Sequence, residues 1–334
     1  MEFVEHVRGK APLHALLESL KLADGTELRV ARWFSESPAT RGTVLICTGR
    51  GEFIEKYFEV TKELLHRGFA VVVFDWRGQG RSSRSLRNTR KGHIEHFDLF
   101  GDDLAAVYAK VLQPFCPKPY ILLAHSMGGA VALHHAYRHP GVFARIVLSA
   151  PMVEVHHLPF RRHLPRIVGT LVRAGLGRAF LPQGHRAAVL DRGFSGNILT
   201  SDEERFAGML ALVQADPELA VGAPTVRWLH AAFHAMARLQ SVEVCRAITT
   251  PVLMIIPGAD RVISVSAMER LGQRLKCCTP ILIPHARHEI LMERDELRDQ
   301  FWAAFDAFLL DVGPVATSRT RIPAVQEPPS RRAG

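Results

Sequence analysis

Short runs of uninterrupted apolar side chains recur along this chain at 43–47, 70–74, 120–124, 146–150, 252–256 and 280–283. Runs of that length without alternation predict strands buried on both faces, as in a parallel sheet. Between most of them apolar residues return at every third or fourth position, over 54–66, 99–112, 127–138, 266–275 and 289–310, which predicts helices. Strand alternating with helix makes the fold class α/β, with a mostly parallel, doubly wound sheet. Ahead of it, 16–22 and 27–34 flank Asp24-Gly25, the signal of a tight hairpin, so two antiparallel strands open the chain. The alternation fails once, over 151–250, where the pattern is helical and punctuated by Pro and Gly. That stretch reads as a helical cap inserted into a core made of 1–150 and 251–312, and the Pro-, Ser-, Thr- and Arg-rich residues 313–334 read as a disordered tail.

Composition narrows the picture. Of 334 residues 47% are hydrophobic and 22% charged, enough apolar material for a large buried sheet and incompatible with wholesale disorder. The formal charge of +9 favours anionic partners such as a phospholipid surface. The basic residues are mostly Arg, scattered, with no nucleic-acid-binding motif around them, so no nucleic-acid partner is expected. Cys47, Cys116, Cys245, Cys277 and Cys278 form no C-x-x-C pair and no zinc-ligand spacing, which implies a reducing compartment. The first twenty residues are interrupted by Glu2, Glu5, His6, Arg8, Lys10 and Glu18, leaving no secretory h-region, and no apolar stretch approaches the length of a membrane span. A cytoplasmic location is expected, with at most peripheral contact at the inner face of the membrane.

The sharpest chemical feature is Ala124-His125-Ser126-Met127-Gly128-Gly129, directly after one predicted strand and directly before a helix. A serine on such a turn projects its oxygen above the sheet, provided that small residues stand on either side. A serine hydroxyl needs a base and the base needs an orienting carboxylate. Asp260, after the strand 252–256 and the turn Pro257-Gly258-Ala259, and His288, after the final strand, both arrive at the same sheet edge. His285 is the rival base; Asp191, Asp202 and Asp216 lie in the cap and are poorer carboxylates. Acyl transfer further needs donors for an oxyanion, and the backbone N–H groups of Met127 and of Arg50, in Thr48-Gly49-Arg50-Gly51-Glu52, are assigned to it. No cofactor and no metal is expected.

These motifs carry a resemblance. Gly49-Arg50-Gly51-Glu52 with Lys56-Tyr57, the stretch Asp75-Trp76-Arg77-Gly78-Gln79-Gly80-Arg81-Ser82, the serine turn, Gly258-Ala259-Asp260-Arg261-Val262 and His288-Glu289 resemble the bacterial lysophospholipases and monoacylglycerol lipases of the α/β-hydrolase superfamily. Asn197 to Asp202, and Gly222-Ala223-Pro224-Thr225 with Trp228, resemble the lysophospholipase branch in particular. The resemblance implies the α/β-hydrolase fold, the catalytic set Ser126, Asp260 and His288, the oxyanion pair Arg50 and Met127, and a single-chain lipid ester as substrate. It also implies that Asp75 and Arg77 belong to the scaffold. Two positions depart from the pattern: Thr48 stands where His is common, and Ala124 where Gly is usual. The competing readings are a small-ester hydrolase or prolyl-type aminopeptidase on the same fold, and a catalytically silent binding protein. Within the cap, Leu164, Ile167, Val168, Leu171, Val172 and Leu176 gather on one helical face and Arg162, Arg166 and Arg173 on the other, the arrangement of a helix that can lie on an anionic membrane.

Overall fold

The computed structural model describes residues 2–5, 9–35, 39–156, 163–180, 193–312 and 315–316. Its strands are β1 (Leu16–Lys21), β2 (Glu27–Trp33), β3 (Ala39–Thr40), β4 (Thr43–Cys47), β5 (Ala70–Phe74), β6 (Tyr120–His125), β7 (Arg145–Ser149), β8 (Val252–Pro257), β9 (Cys278–Ile283) and β10 (Val315–Ala316). Eight of them form one sheet in the order β1-β2-β5-β4-β6-β7-β8-β9. The strands from β5 to β9 in that order pair in parallel, while β1 and β2 form the antiparallel hairpin around Asp24-Gly25.

The helices are α1 (Phe58–His66), α2 (Asp98–Val107), α3 (Gln113–Phe115), α4 (Met127–Arg138), α5 (Leu164–Arg173), α6 (Glu203–Ala215), α7 (Val226–Leu239), α8 (Val242–Ala247), α9 (Val265–Arg274) and α10 (Asp295–Phe308). Successive strand residues point to opposite faces, and both faces of this sheet are apolar. Leu45 and Cys47 of β4 join one core cluster with α2, α4 and α9, while Val44 and Ile46 join another with α1 and α10. This two-sided burial is why the central strands read as continuous apolar runs. The chain leaves adjacent strands β4 and β6 toward opposite faces, α1 to one and α4 to the other. The crevice between those strand ends is where doubly wound sheets hold their ligands.

Three local differences from the expected elements have physical causes. Strand β9 begins at Cys278, ahead of the apolar run, because it is an edge strand whose Thr279 and Pro280 face solvent. The helix expected over 289–310 is a 3-10 turn at Ile290–Met292 and then α10. The buried Glu293 carboxylate sits at the break and accepts N–H bonds from Ser201, Arg287 and Arg294. The helix expected over 99–112 runs from α2 into a π-helical turn, Tyr108–Leu112.

Between β7 and β8 the described residues form α5 to α8 and contribute no strand to the sheet. α7 packs its Trp228, Ala232, Met236 and Leu239 into the same cluster as α4. Of the expected tail, Val315–Ala316 pairs antiparallel with Ala39–Thr40, and the rest lies outside the described residues. No helix among the described residues is long and apolar enough to cross a membrane.

Candidate active site

Ser126 occupies the single residue between β6 and α4, with φ 48° and ψ −112°. Gly128 makes that turn possible: a Cβ there would overlap the carbonyl oxygens of Cys47 and Thr48. At Gly129 it would press on Pro151 at 2.9 Å. Ala124, where a glycine is usual, is accommodated because its methyl group points into the core cluster beside its register neighbours Cys47 and Leu148.

The turn after β8 presents Asp260, whose Oδ1 accepts the N–H groups of Val262 at 2.7 Å and Ile263 at 2.9 Å. Its Oδ2 lies 2.8 Å from His288 Nδ1, and His288 Nε2 lies 3.1 Å from Ser126 Oγ. Burial pushes the Asp260 carboxyl up, but His288 and the two N–H donors outweigh it and hold it below its ordinary value. A charged carboxylate at Nδ1 keeps that nitrogen protonated and leaves the Nε2 lone pair facing the serine. All three groups are buried, Ser126 itself being 8% exposed. His285 lies in an exposed turn at φ 65°. Asp202 and Asp216 cap α6 and the turn Pro217–Leu219 and pair with Arg205 and Arg81; Asp191 lies outside the described residues.

The backbone N–H groups of Arg50 and Met127 have no hydrogen-bond partner among the described residues. Their loop neighbours do. Gly49 N–H donates to Glu52 Oε2, Gly51 N–H donates to Gln79 Oε1, and Trp76 Nε1 donates to the Thr48 carbonyl at 2.8 Å. This bracing does without a histidine at Thr48. Glu52 also accepts from Tyr57 OH at 2.6 Å and pairs with Lys56 Nζ at 2.6 Å; the same ammonium is 2.7 Å from Glu289 Oε1. Burial works against the Glu52 charge, yet Lys56 and His125 bring its pKa down to about 2.

Glu52, His125 and Glu289 converge closely enough to hold a metal ion, but the Lys56 ammonium already supplies the cation between the two carboxylates. His125 is kept neutral, burial pushing its pKa down to about 4, and its Nδ1 donates to the Ser149 carbonyl at 3.1 Å. Its ring lies 4.8 Å from that of His288. Sequence reasoning gave Glu52, Lys56 and Glu289 no role. The available signal was opposite charges four residues apart at the start of an apolar helix.

Asp75 and Arg77 sit away from the serine. Asp75 accepts from Ile54 N–H and Arg81 N–H and pairs with Arg29, and Arg77 grips Asp103.

An eight-stranded, mostly parallel sheet with a serine on a strained strand-to-helix turn, and with Asp260 and His288 delivered by later strands, defines an α/β-hydrolase. The chain belongs to the family described as serine aminopeptidase, S33, whose profile matches residues 38–295. It is 34% identical over 273 residues to lysophospholipase L2 of Escherichia coli, covering 76% of each chain. Over 116 residues, 35% of this chain and 40% of the other, it is 30% identical to a monoacylglycerol lipase of Mycolicibacterium smegmatis. Among solved structures it is similar to a monoglyceride lipase of Saccharomyces cerevisiae, with TM-score 0.72, 21% identity and coverage of 90% of this chain and 97% of that one.

Proposed function

We propose that this protein hydrolyses carboxylic esters of single-chain lipids through an acyl-enzyme on Ser126. The observation that carries the reading is the unbroken relay from Asp260 Oδ2 through His288 to Ser126 Oγ, beside two N–H groups without a partner among the described residues. His288 Nε2 takes the serine proton as Oγ attacks the acyl carbonyl. Arg50 N–H and Met127 N–H receive the negative charge that develops on the carbonyl oxygen. The imidazolium then returns the proton to the departing glycerol oxygen, and water repeats the sequence to release the fatty acid. The relatives named lysophospholipase and monoacylglycerol lipase support a lipid ester as substrate.

An aminopeptidase must neutralise a free ammonium group. Glu52 and Glu289, the acids behind the relay, are already committed to Lys56. Peripheral contact with an anionic membrane belongs to the same reading. Helix α5 buries Val168 and Gly169, but Ile167 is 50% exposed, Leu176 beyond its end is 49% exposed, and Arg166 and Arg173 are also exposed. Arg162 lies outside the described residues.

The test combines fluorophosphonate labelling with a hydrolysis panel of lysophosphatidylcholine, monoacylglycerol, a short nitrophenyl ester and a prolyl amide. Labelling is expected in the wild type and absent in Ser126→Ala. Ser126→Ala, His288→Ala and Asp260→Asn each lose orders of magnitude in kcat, and the Ser126/His288 double variant is little worse than either single one. An unlabelled wild type, or turnover of the prolyl amide alone, overturns the reading.

A further inference from the structure

Among the described residues eight buried or half-buried arginines pair with carboxylates, among them Arg29 with Glu55 and Asp75, Arg77 with Asp24 and Asp103, Arg205 with Glu59, Asp202 and Asp295, and Arg298 with Glu59. Arg50 does not. Its guanidinium donates through Nη2 to the Gly222 carbonyl and lies 5.1 Å over the Trp228 ring, while its buried Nε has no partner among the described residues. Burial drives its pKa down to about 10, and no acidic neighbour offsets the shift. Gly92 also borders the guanidinium: a Cβ there would meet Nη2. An uncompensated buried charge costs several kcal/mol. Such a charge is functional when the missing anion is supplied by the ligand.

We infer that the Arg50 guanidinium is the phosphate-binding group of the substrate site and selects phosphate-bearing glycerol monoesters over neutral ones. The inference rests on the lipid-ester reading above and narrows it. Arg50 contributes to the same site twice. On the reading above its main-chain N–H receives the oxyanion, and its side chain, about 6 Å long on standard bond lengths, ends between the Gly222 carbonyl and the Trp228 ring. In a glycerol phosphate monoester the acyl carbonyl carbon and the phosphorus are separated by six covalent bonds, about 7 Å when extended. One residue thus spans both the reacting carbonyl and the headgroup phosphate. The planar guanidinium offers its unused N–H groups to phosphate oxygens as charge-assisted, directional bonds. The adjoining loop carries Arg90, whose carbonyl binds Gly222 N–H, and Lys91, whose ammonium donates to the Arg178 carbonyl at 2.8 Å. Glu95, three residues beyond Gly92, is engaged by His93 and Arg227.

A structural strut between cap and core would make the same contacts, so the test reads selectivity. kcat/KM is measured for 1-octanoylglycerol 3-phosphate and for 1-octanoylglycerol below their micelle limits, in the wild type, Arg50→Gln and Arg50→Lys. Arg50→Gln is expected to lower the phosphate-to-neutral ratio about 10- to 100-fold, the worth of a charge-assisted hydrogen bond. Arg50→Lys recovers part of the ratio. In parallel, sn-glycerol 3-phosphate, inorganic phosphate and glycerol are tested as inhibitors of nitrophenyl ester hydrolysis by the wild type. Glycerol 3-phosphate should inhibit, and glycerol should not. An unchanged ratio in Arg50→Gln overturns the inference. If that variant is inactive on both substrates, absence of glycerol 3-phosphate inhibition in the wild type overturns it instead. Equal inhibition by inorganic phosphate overturns the headgroup assignment. A wild type that binds glycerol 3-phosphate but cleaves no lipid ester sinks the lipid-ester reading and leaves the phosphate site standing.

Discussion

The backbone at Ser126 provides a test in which stability and side-chain chemistry separate. At φ 48° and ψ −112° a residue with a Cβ is strained, at a cost of about 1–3 kcal/mol, most of which glycine escapes. Replacing Ser126 by Ala or by Gly deletes the same Oγ and the same 3.1 Å contact with His288, so that loss cancels in the comparison. Against the relief stands the extra freedom glycine gives the unfolded chain, about 0.5–1 kcal/mol. The difference leaves Ser126→Gly more stable than Ser126→Ala by about 0.5–2 kcal/mol. For a chain of 334 residues this is about 1–3 °C in Tm at the usual unfolding entropy per residue. At an unstrained position the order is reversed. Urea unfolding followed by tryptophan fluorescence, with Trp33, Trp76, Trp228 and Trp302 all buried, measures the two midpoints at a common slope. Both variants should fail to label with a fluorophosphonate. If Ser126→Gly unfolds at lower urea than Ser126→Ala, the strain argument is wrong.

Lys56→Met removes the cation between Glu52 and Glu289 and should cost about 3–5 kcal/mol at pH 7, because two buried carboxylates are stranded. Glu52, held at about 2 against its ordinary 4.5, contributes stability that is present above pH 4.5 and lost as the pH falls toward 2. The penalty measured by urea unfolding should therefore shrink at acid pH, and a penalty independent of pH would contradict the charge argument. Asp260, held below its ordinary value, stays ionised through the weakly acidic range, and the base must be neutral to accept the serine proton, so kcat/KM should fall on the acid side. A profile flat down to pH 4 on folded enzyme would exclude a histidine base. Replacing Arg166 and Arg173 with Gln should weaken sedimentation with anionic vesicles and slow hydrolysis of micellar lysolipid while sparing a short soluble ester. Equal losses on both substrates would point to misfolding around α5, and no loss on either would make α5 ordinary packing.

The order of elements and the approach of Ser126, Asp260 and His288 to one sheet edge were legible in the sequence because each signal is local. A strand buried on both faces needs an unbroken apolar run such as Val71 to Phe74, a hairpin needs Asp24-Gly25, and a strained strand-to-helix turn needs Gly128 beside the serine. Signals weakened where burial is one-sided, as at Cys278 and Thr279 of the edge strand, or where a distant side chain interrupts a helix, as Glu293 does before α10.

Tertiary structure alone decided which charges meet. Lys56 and Glu52 are one helical turn apart, but Glu289 reaches the same ammonium only because β9 delivers its loop beside the end of β4 and β6. Side-chain pattern placed Ile167 and Val168 on one apolar face of α5, yet only Val168 is covered, because contact with α7 sets the rotation of the helix. Arg50 carries the same lesson. Its type and position are plain in Gly49-Arg50-Gly51, whereas the absence of an acid around it, on which its inferred role turns, depends on where Gly222, Trp228 and Gly92 are folded against it. Local propensity fixes elements because it depends on neighbours in the chain. Burial and ion pairing depend on neighbours in space, which no stretch of the sequence contains by itself.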